Sequence, residues 1–93
     1  NCHNERQRSR NYIAHMKKAA QKYKVNYYLI EAVIKTESCF DHKAVSRVGA
    51  QGLMQLMPKT ASYLGVKKVF NPKDNIMGGT KYLKKLLGQF NQN

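Results

Sequence analysis

Glu37 follows a run of aliphatic residues at helical spacing. Ile30, Val33 and Ile34 precede it by seven, four and three residues, separations that place side chains on one face of a helix. Burial on such a face disfavours the charged form of a carboxyl, so Glu37 is expected to keep its proton near neutrality. A protonated carboxyl lining a cleft is what a glycosidic oxygen requires of a general acid. The plainer reading is a helix-end glutamate turned back to solvent. Glu31 differs: Lys35 lies four residues further on, the spacing of an ordinary exposed ion pair.

Glycoside chemistry ordinarily needs a second carboxylate as nucleophile or base. Asp41 stands four residues beyond Glu37 in a loop, and Asp74 sits where it would cap or charge a later helix. Neither is an obvious partner. If Glu37 is catalytic, it serves as both acid and base, and the substrate supplies the nucleophile.

The elements that must hold Glu37 read as helices. The first segment, Arg10–Lys24, puts Ile13, Met16 and Ala20 on one face, flanked by Tyr12, Ala19 and Tyr23. Asn26 is a fair N-cap for the second, Tyr27–Ser38, which is the most apolar. Some twenty irregular residues containing Gly49 and Gly52 follow. Pro58 suits the first turn of a short third helix running to Leu64, with Gly65 as its stop. After a turn at Asn71-Pro72, a fourth helix over Asp74–Phe90 aligns Ile76, Gly79, Leu83, Leu86, Leu87 and Phe90. No strand alternation of useful length occurs, so the expected fold class is all-α.

The 93 residues allow one compact domain, and 42% apolar composition argues against disorder. No apolar run approaches the ~18–20 residues of a transmembrane span. Asn1–Arg10 is polar and basic, without a signal peptide, which suggests a mature or trimmed chain. Seventeen Lys+Arg against five Asp+Glu leave a formal charge of +12, which favours polyanions: nucleic acid, an acidic membrane surface or a wall polymer. The same charge also fits a solvated basic surface with no partner. Cys2 and Cys39 either pair or remain free thiols, and no Cys/His cluster suggests a metal; no cofactor is expected.

Glu37-Ser38 after an apolar helix, then Gly49-Ala50-Gln51-Gly52-Leu53-Met54-Gln55-Leu56-Met57-Pro58, Thr60-Ala61 and Leu64-Gly65-Val66, resembles the catalytic domain of the soluble lytic transglycosylases. Val25–Val33, Ala44-Val45-Ser46, Asn71-Pro72, Asn75-Ile76, Gly79 and Tyr82-Leu83 continue the match in register. The resemblance runs from about Tyr23 to Phe90, and it implies a lysozyme-like helical fold of the goose type. Residues 1–22 would then be a basic extension with the first helix, and 23–93 a partial catalytic domain. The implied reaction cleaves the β-1,4 bond between N-acetylmuramic acid and N-acetylglucosamine of peptidoglycan to a 1,6-anhydro sugar, with catalytic Glu37 as single acid and base. An extracytoplasmic setting, the periplasm or bacterial envelope, follows, with peptidoglycan strands as partner and a secretion, conjugation or phage assembly as the candidate surroundings.

On this resemblance Ser38, Met54 and Gln55 bind substrate. Ser38 would bond near the acid or the sugar, or else only its own helix backbone. Gln55 would read an N-acetyl or hydroxyl group, or face water. Met54 would wall the sugar groove, or fill the core as methionines more often do. Tyr63 and Tyr82 would stack on sugar rings, or pack with a wet hydroxyl; His3, His15 and His42 read as surface or structural.

The family continues past Phe90-Asn91 through further helices that include an Ala-Tyr-Asn-Ala-Gly-like segment. This chain ends at Asn93, so the expectation is a C-terminally truncated domain, a segment-exchanged oligomer, or a non-catalytic wall-binding or scaffold remnant. A small basic nucleic-acid binder would explain the charge, but no reader helix or aromatic–basic interleaving supports it, and no nucleic-acid partner is expected.

Overall fold

A computed structural model describes residues 2–90. The break from the family pattern at Asn91–Asn93 lies outside the described residues, as does Asn1. The described chain is helical: α1 (Glu5–Ser9), a 3-10 turn (Arg10–Tyr12), α2 (Ile13–Tyr23), α3 (Tyr27–Ser38), α4 (Pro58–Tyr63) and α5 (Pro72–Phe90). Among the described residues there is no strand, only isolated bridges joining Val45 to Gln51 and Gln51 to Leu56. The all-α expectation holds.

Local chemistry explains the boundaries. The Asn26 side chain accepts hydrogen bonds from the Tyr28 and Leu29 amides at 2.8 and 3.2 Å, so it caps α3. That helix ends where Cys39 turns left-handed (φ 51) and its amide donates to Lys35 O at 3.0 Å. Pro58 opens α4 and Gly65 follows it at φ 77. Asn71 Oδ1 accepts from the Asp74 amide at 3.0 Å, and Pro72 occupies the first turn of α5.

Ile30 and Ile34 of α3, Met16 and Ala19 of α2, and Ile76 of α5 form the core with Phe40, Leu53 and Met54 from the intervening loop. Fully burying an aliphatic side chain of this size contributes about 1.5–3 kcal/mol. Ile13, expected on the buried face of the first helix, is 38% exposed. Tyr12 replaces it, stacking on buried Phe40 with ring centroids 6.5 Å apart; Ile13, three residues before Met16, falls about 60° to the far side of the buried stripe that Met16 and Ala19 define.

Helix α1 has no buried residues and its sequence carries no apolar period, which is why spacing did not reveal it. Three ties hold it over the C-terminal end of α3. Cys2 and Cys39 form a disulfide with Cα atoms 5.4 Å apart. The Arg8 guanidinium donates to Cys39 O through Nη2 (2.7 Å) and Nε (3.2 Å). Lys35 pairs with Glu5 at 3.4 Å. The expected Glu31–Lys35 pair is thus replaced: the folded-over α1 brings Glu5 to the lysine.

Candidate active site

A groove runs between α3, the 54–57 loop, α4 and α5, and encloses about 340 Å³, within the range of sites that take small molecules. Helix α3 contributes Val33 and Glu37, and the loop contributes Met54 to Met57. Thr60 stands at the α4 side, and α5 supplies Gly79, Tyr82, Leu83 and Leu86. Glu37 is the one charged side chain among these lining residues. The walls are otherwise apolar, with polar groups from Gln55, Thr60 and Tyr82.

Glu37 reaches this groove but is exposed rather than buried, a correction to the expectation of a dry carboxyl. The helix explains it. The buried stripe of α3 runs through Ile30, Ile34 and Ser38, every fourth residue. At 100° per residue, Glu37 lies about 60° from Ile34, on the edge of that stripe beside half-buried Val33. This edge faces the groove, and the carboxyl is open to solvent there.

Ser38 lies behind the groove and not on its wall. It is buried, and its hydroxyl donates to Leu53 O at 2.8 Å, with Ile34 O a longer alternative at 3.2 Å. The contact fastens the end of α3 to the loop that forms the opposite wall, one residue from Met54.

Met54 lines the groove and is also nearly buried, 6% exposed, within the core cluster. Its side chain lies against Gly79: a Cβ there would come within 2.4 Å of Met54 Sδ and 2.8 Å of Met54 Cβ. Only a glycine allows α5 this close to the loop.

Gln55 lines the groove in a left-handed conformation (φ 53), uncommon for a residue with a Cβ. Its Nε2 donates to Gly52 O at 2.8 Å and Ala44 O at 3.1 Å. Both amide protons therefore brace the loop, and Oε1 remains as the acceptor of the side chain. Gly52 (φ 80) turns the chain beneath it, where a Cβ would meet Asn75 Nδ2 at 2.3 Å and Val69 O at 2.7 Å.

Asn75 is the supporting residue that spacing did not single out by role. It is fully buried on α5 and uses its whole amide: Oδ1 accepts from the Met54 amide at 2.7 Å, while Nδ2 donates to Val69 O (2.9 Å) and Gln51 O (3.1 Å). Its signal was available: a polar residue four before Gly79, on the face that Ile76 and Gly79 turn inward. Leu83, Leu86 and Val33, expected only on the apolar faces of their helices, line the groove as well.

Tyr82 lies in the groove, whereas Tyr63 projects from α4, 71% exposed, and is not among the lining residues. Lys85 Nζ donates to the Tyr63 hydroxyl at 2.5 Å, and this contact lowers the phenol pKa below 10.0. Asp41, Asp74 and Glu31 are not on the groove wall, so no second carboxylate of the described residues lines it. No group of three His, Cys, Asp or Glu among the described residues is arranged to hold a metal.

Residues 14–93 match the family described as Transglycosylase SLT domain. The chain is 42% identical over 72 residues to a transglycosylase of Enterobacteria phage PRD1, covering 77% of this chain and 27% of the phage protein. It is 38% identical over 86 residues to membrane-bound lytic murein transglycosylase F of Pseudomonas fluorescens, covering 92% of this chain and 18% of that protein. Among solved structures it resembles an inactive Glu-to-Gln mutant of the lytic transglycosylase Slt from Pseudomonas aeruginosa. The TM-score is 0.76 at 34% identity, over 86% of this chain and 14% of that one. The 70-kDa soluble lytic transglycosylase in complex with bulgecin A aligns with a TM-score of 0.77 at 29% identity, over 88% of this chain and 15% of that chain. This chain spans about a quarter or less of the length of each of these relatives.

Proposed function

The chain belongs to the transglycosylase SLT domain family, and from that premise we propose that it cleaves the β-1,4 bond between N-acetylmuramic acid and N-acetylglucosamine in peptidoglycan. Glu37 is the acid and then the base. It protonates the glycosidic oxygen as the bond to C1 of the muramic residue breaks, and the N-acetyl group of that residue stabilises the cationic carbon. The Glu37 carboxylate next takes the proton of the C6 hydroxyl, whose oxygen closes on C1. A 1,6-anhydro product forms, and Glu37 regains its proton.

The observation that carries this reading is the position of Glu37: the single charged side chain on the wall of an otherwise apolar groove. One carboxylate suits a reaction in which the substrate supplies the nucleophile. Since the free side chain is exposed, the desolvation that favours its protonated form comes from the glycan lying over it. In this reading Gln55 Oε1 accepts from an N-acetyl N–H, Met54 and Tyr82 give the sugar an apolar wall, and Ser38 acts as a positioning residue through Leu53.

The relatives support a setting at the bacterial envelope. The relative from Pseudomonas fluorescens is named membrane-bound, and one relative comes from a phage, which favours wall opening within a larger assembly. No helix among the described residues is long and apolar enough to cross a membrane. The exposure of Glu37 favours one alternative, a domain that binds wall glycan without cutting it. Mass analysis of soluble products from purified peptidoglycan separates the two. Muropeptides one water lighter than hydrolysis products are expected; release of none, with glycan binding intact, favours the binding domain.

A further inference from the structure

We propose that the outward face of α2 and the first turn of α3 form a second docking site, for an acidic glycan, separate from the groove. Between Arg6 and Ile30 the sequence carries seven Lys/Arg and no Asp or Glu. On this stretch lies a shallow concavity lined by Lys17, Ala20, Gln21, Tyr27 and Tyr28. Tyr28 is 72% exposed and packs edge-on against Tyr27, ring centroids 5.2 Å apart at 89°, so its ring is held in place at the surface. An exposed aromatic ring of this kind, supported from one side, is a platform for the C–H face of a pyranose.

The site lies away from Glu37. Tyr28 and Glu37 are nine residues apart on one helix, which puts them on opposite sides of α3 and about 13 Å apart along its axis. A ligand on Tyr28 therefore leaves the groove accessible, and the proposal requires no chemistry at Glu37.

The lining chooses the ligand. It holds one cation, Lys17, beside a primary amide and two phenols, groups that read hydroxyls and a spaced carboxylate. A phosphodiester chain, with a charge at every unit, calls for a row of cations along the binding track. Lys22 and Lys24, close to Gln21 in sequence, add to the positive charge of this stretch without lining the site. Burial, and after it the charge of Glu31 one turn further on, raises the Tyr27 pKa.

Hyaluronan oligosaccharide, which alternates N-acetylglucosamine with a carboxylated sugar, is a suitable soluble probe, titrated by NMR. Amide shifts are expected to centre on Gln21 and Tyr28. Removing one stacked ring or one charge contact is expected to weaken binding about five- to tenfold in Tyr28→Ala and in Lys17→Gln. Both side chains are at the surface, and unchanged melting temperatures keep the comparison clean. Loss in Lys17→Gln with none in Tyr28→Ala would reveal diffuse charge attraction and overturn the proposal. So would tighter binding of single-stranded DNA or phosphatidylglycerol vesicles that depends on the same two residues.

Discussion

The Met54 amide donates to Asn75 Oδ1 across 2.7 Å, and this bond joins the groove loop to α5. Asn75 is fully buried and also holds Val69 O and Gln51 O. Asn75→Ala leaves the Met54 amide and Val69 O without that partner, each costing about 1–3 kcal/mol when buried, while Gln51 O keeps the Leu56 amide at 3.0 Å. The expected loss is at least about 2 kcal/mol of stability, read as a lower urea midpoint. A loss below about 1 kcal/mol would mean water replaces the amide.

Two glycines of α5 should respond in opposite directions to alanine. Nothing lies within 4 Å of a Cβ at Gly88, so Gly88→Ala should stabilise by about 0.5–1 kcal/mol through helix propensity. A Cβ at Gly79 meets Met54 Sδ and Cβ inside 3.0 Å. There the overpacking cost of about 1–3 kcal/mol outweighs propensity, and groove ligands should bind more weakly. Urea unfolding of both variants checks the signs.

Much of this arrangement was legible before the coordinates. Asn26, Pro58 and the Asn71-Pro72 turn set helix boundaries through local hydrogen bonds, so α3 was read over the span it occupies and α5 only two residues short. Glu37 in a groove with Met54 and Gln55 was also expected. Its burial was not legible, because helical period places a side chain on an edge but does not say how far the facing wall rises. The Asn75 bracket and the inward hydroxyl of Ser38 depend on partners 21 and 15 residues away, beyond any local pattern. Helix α1 is held by a disulfide and by Arg8, ties that no apolar spacing announces.

The Cys2–Cys39 bridge closes a separation of 37 residues. The chain-entropy model gives it about 3–4 kcal/mol. Cys2→Ser/Cys39→Ser should therefore melt well below the oxidised protein, and dithiothreitol should lower the oxidised melting temperature but not that of the double variant. Equal melting of both proteins would show that Arg8 and Lys35 suffice to hold α1.

Tyr63 offers a pH readout beside the groove. Lys85 stabilises the phenolate by its hydrogen bond and charge, so the Tyr63 phenol titrates below its ordinary 10.0. Lys85→Ala should raise that pKa, visible as a later phenolate absorbance rise in alkaline titration. An unchanged titration would show that the lysine does not hold the hydroxyl in solution.

Glu37→Gln, assayed on purified peptidoglycan beside the parent chain, tests the role of Glu37 most directly. The amide keeps the shape of the carboxyl and cannot shuttle its proton. The expected result is release of 1,6-anhydro muropeptides reduced about 10²- to 10⁴-fold, with the helical circular dichroism and glycan binding of the parent. Anhydro product released by the variant at the parent's rate would contradict Glu37 as the acid and base.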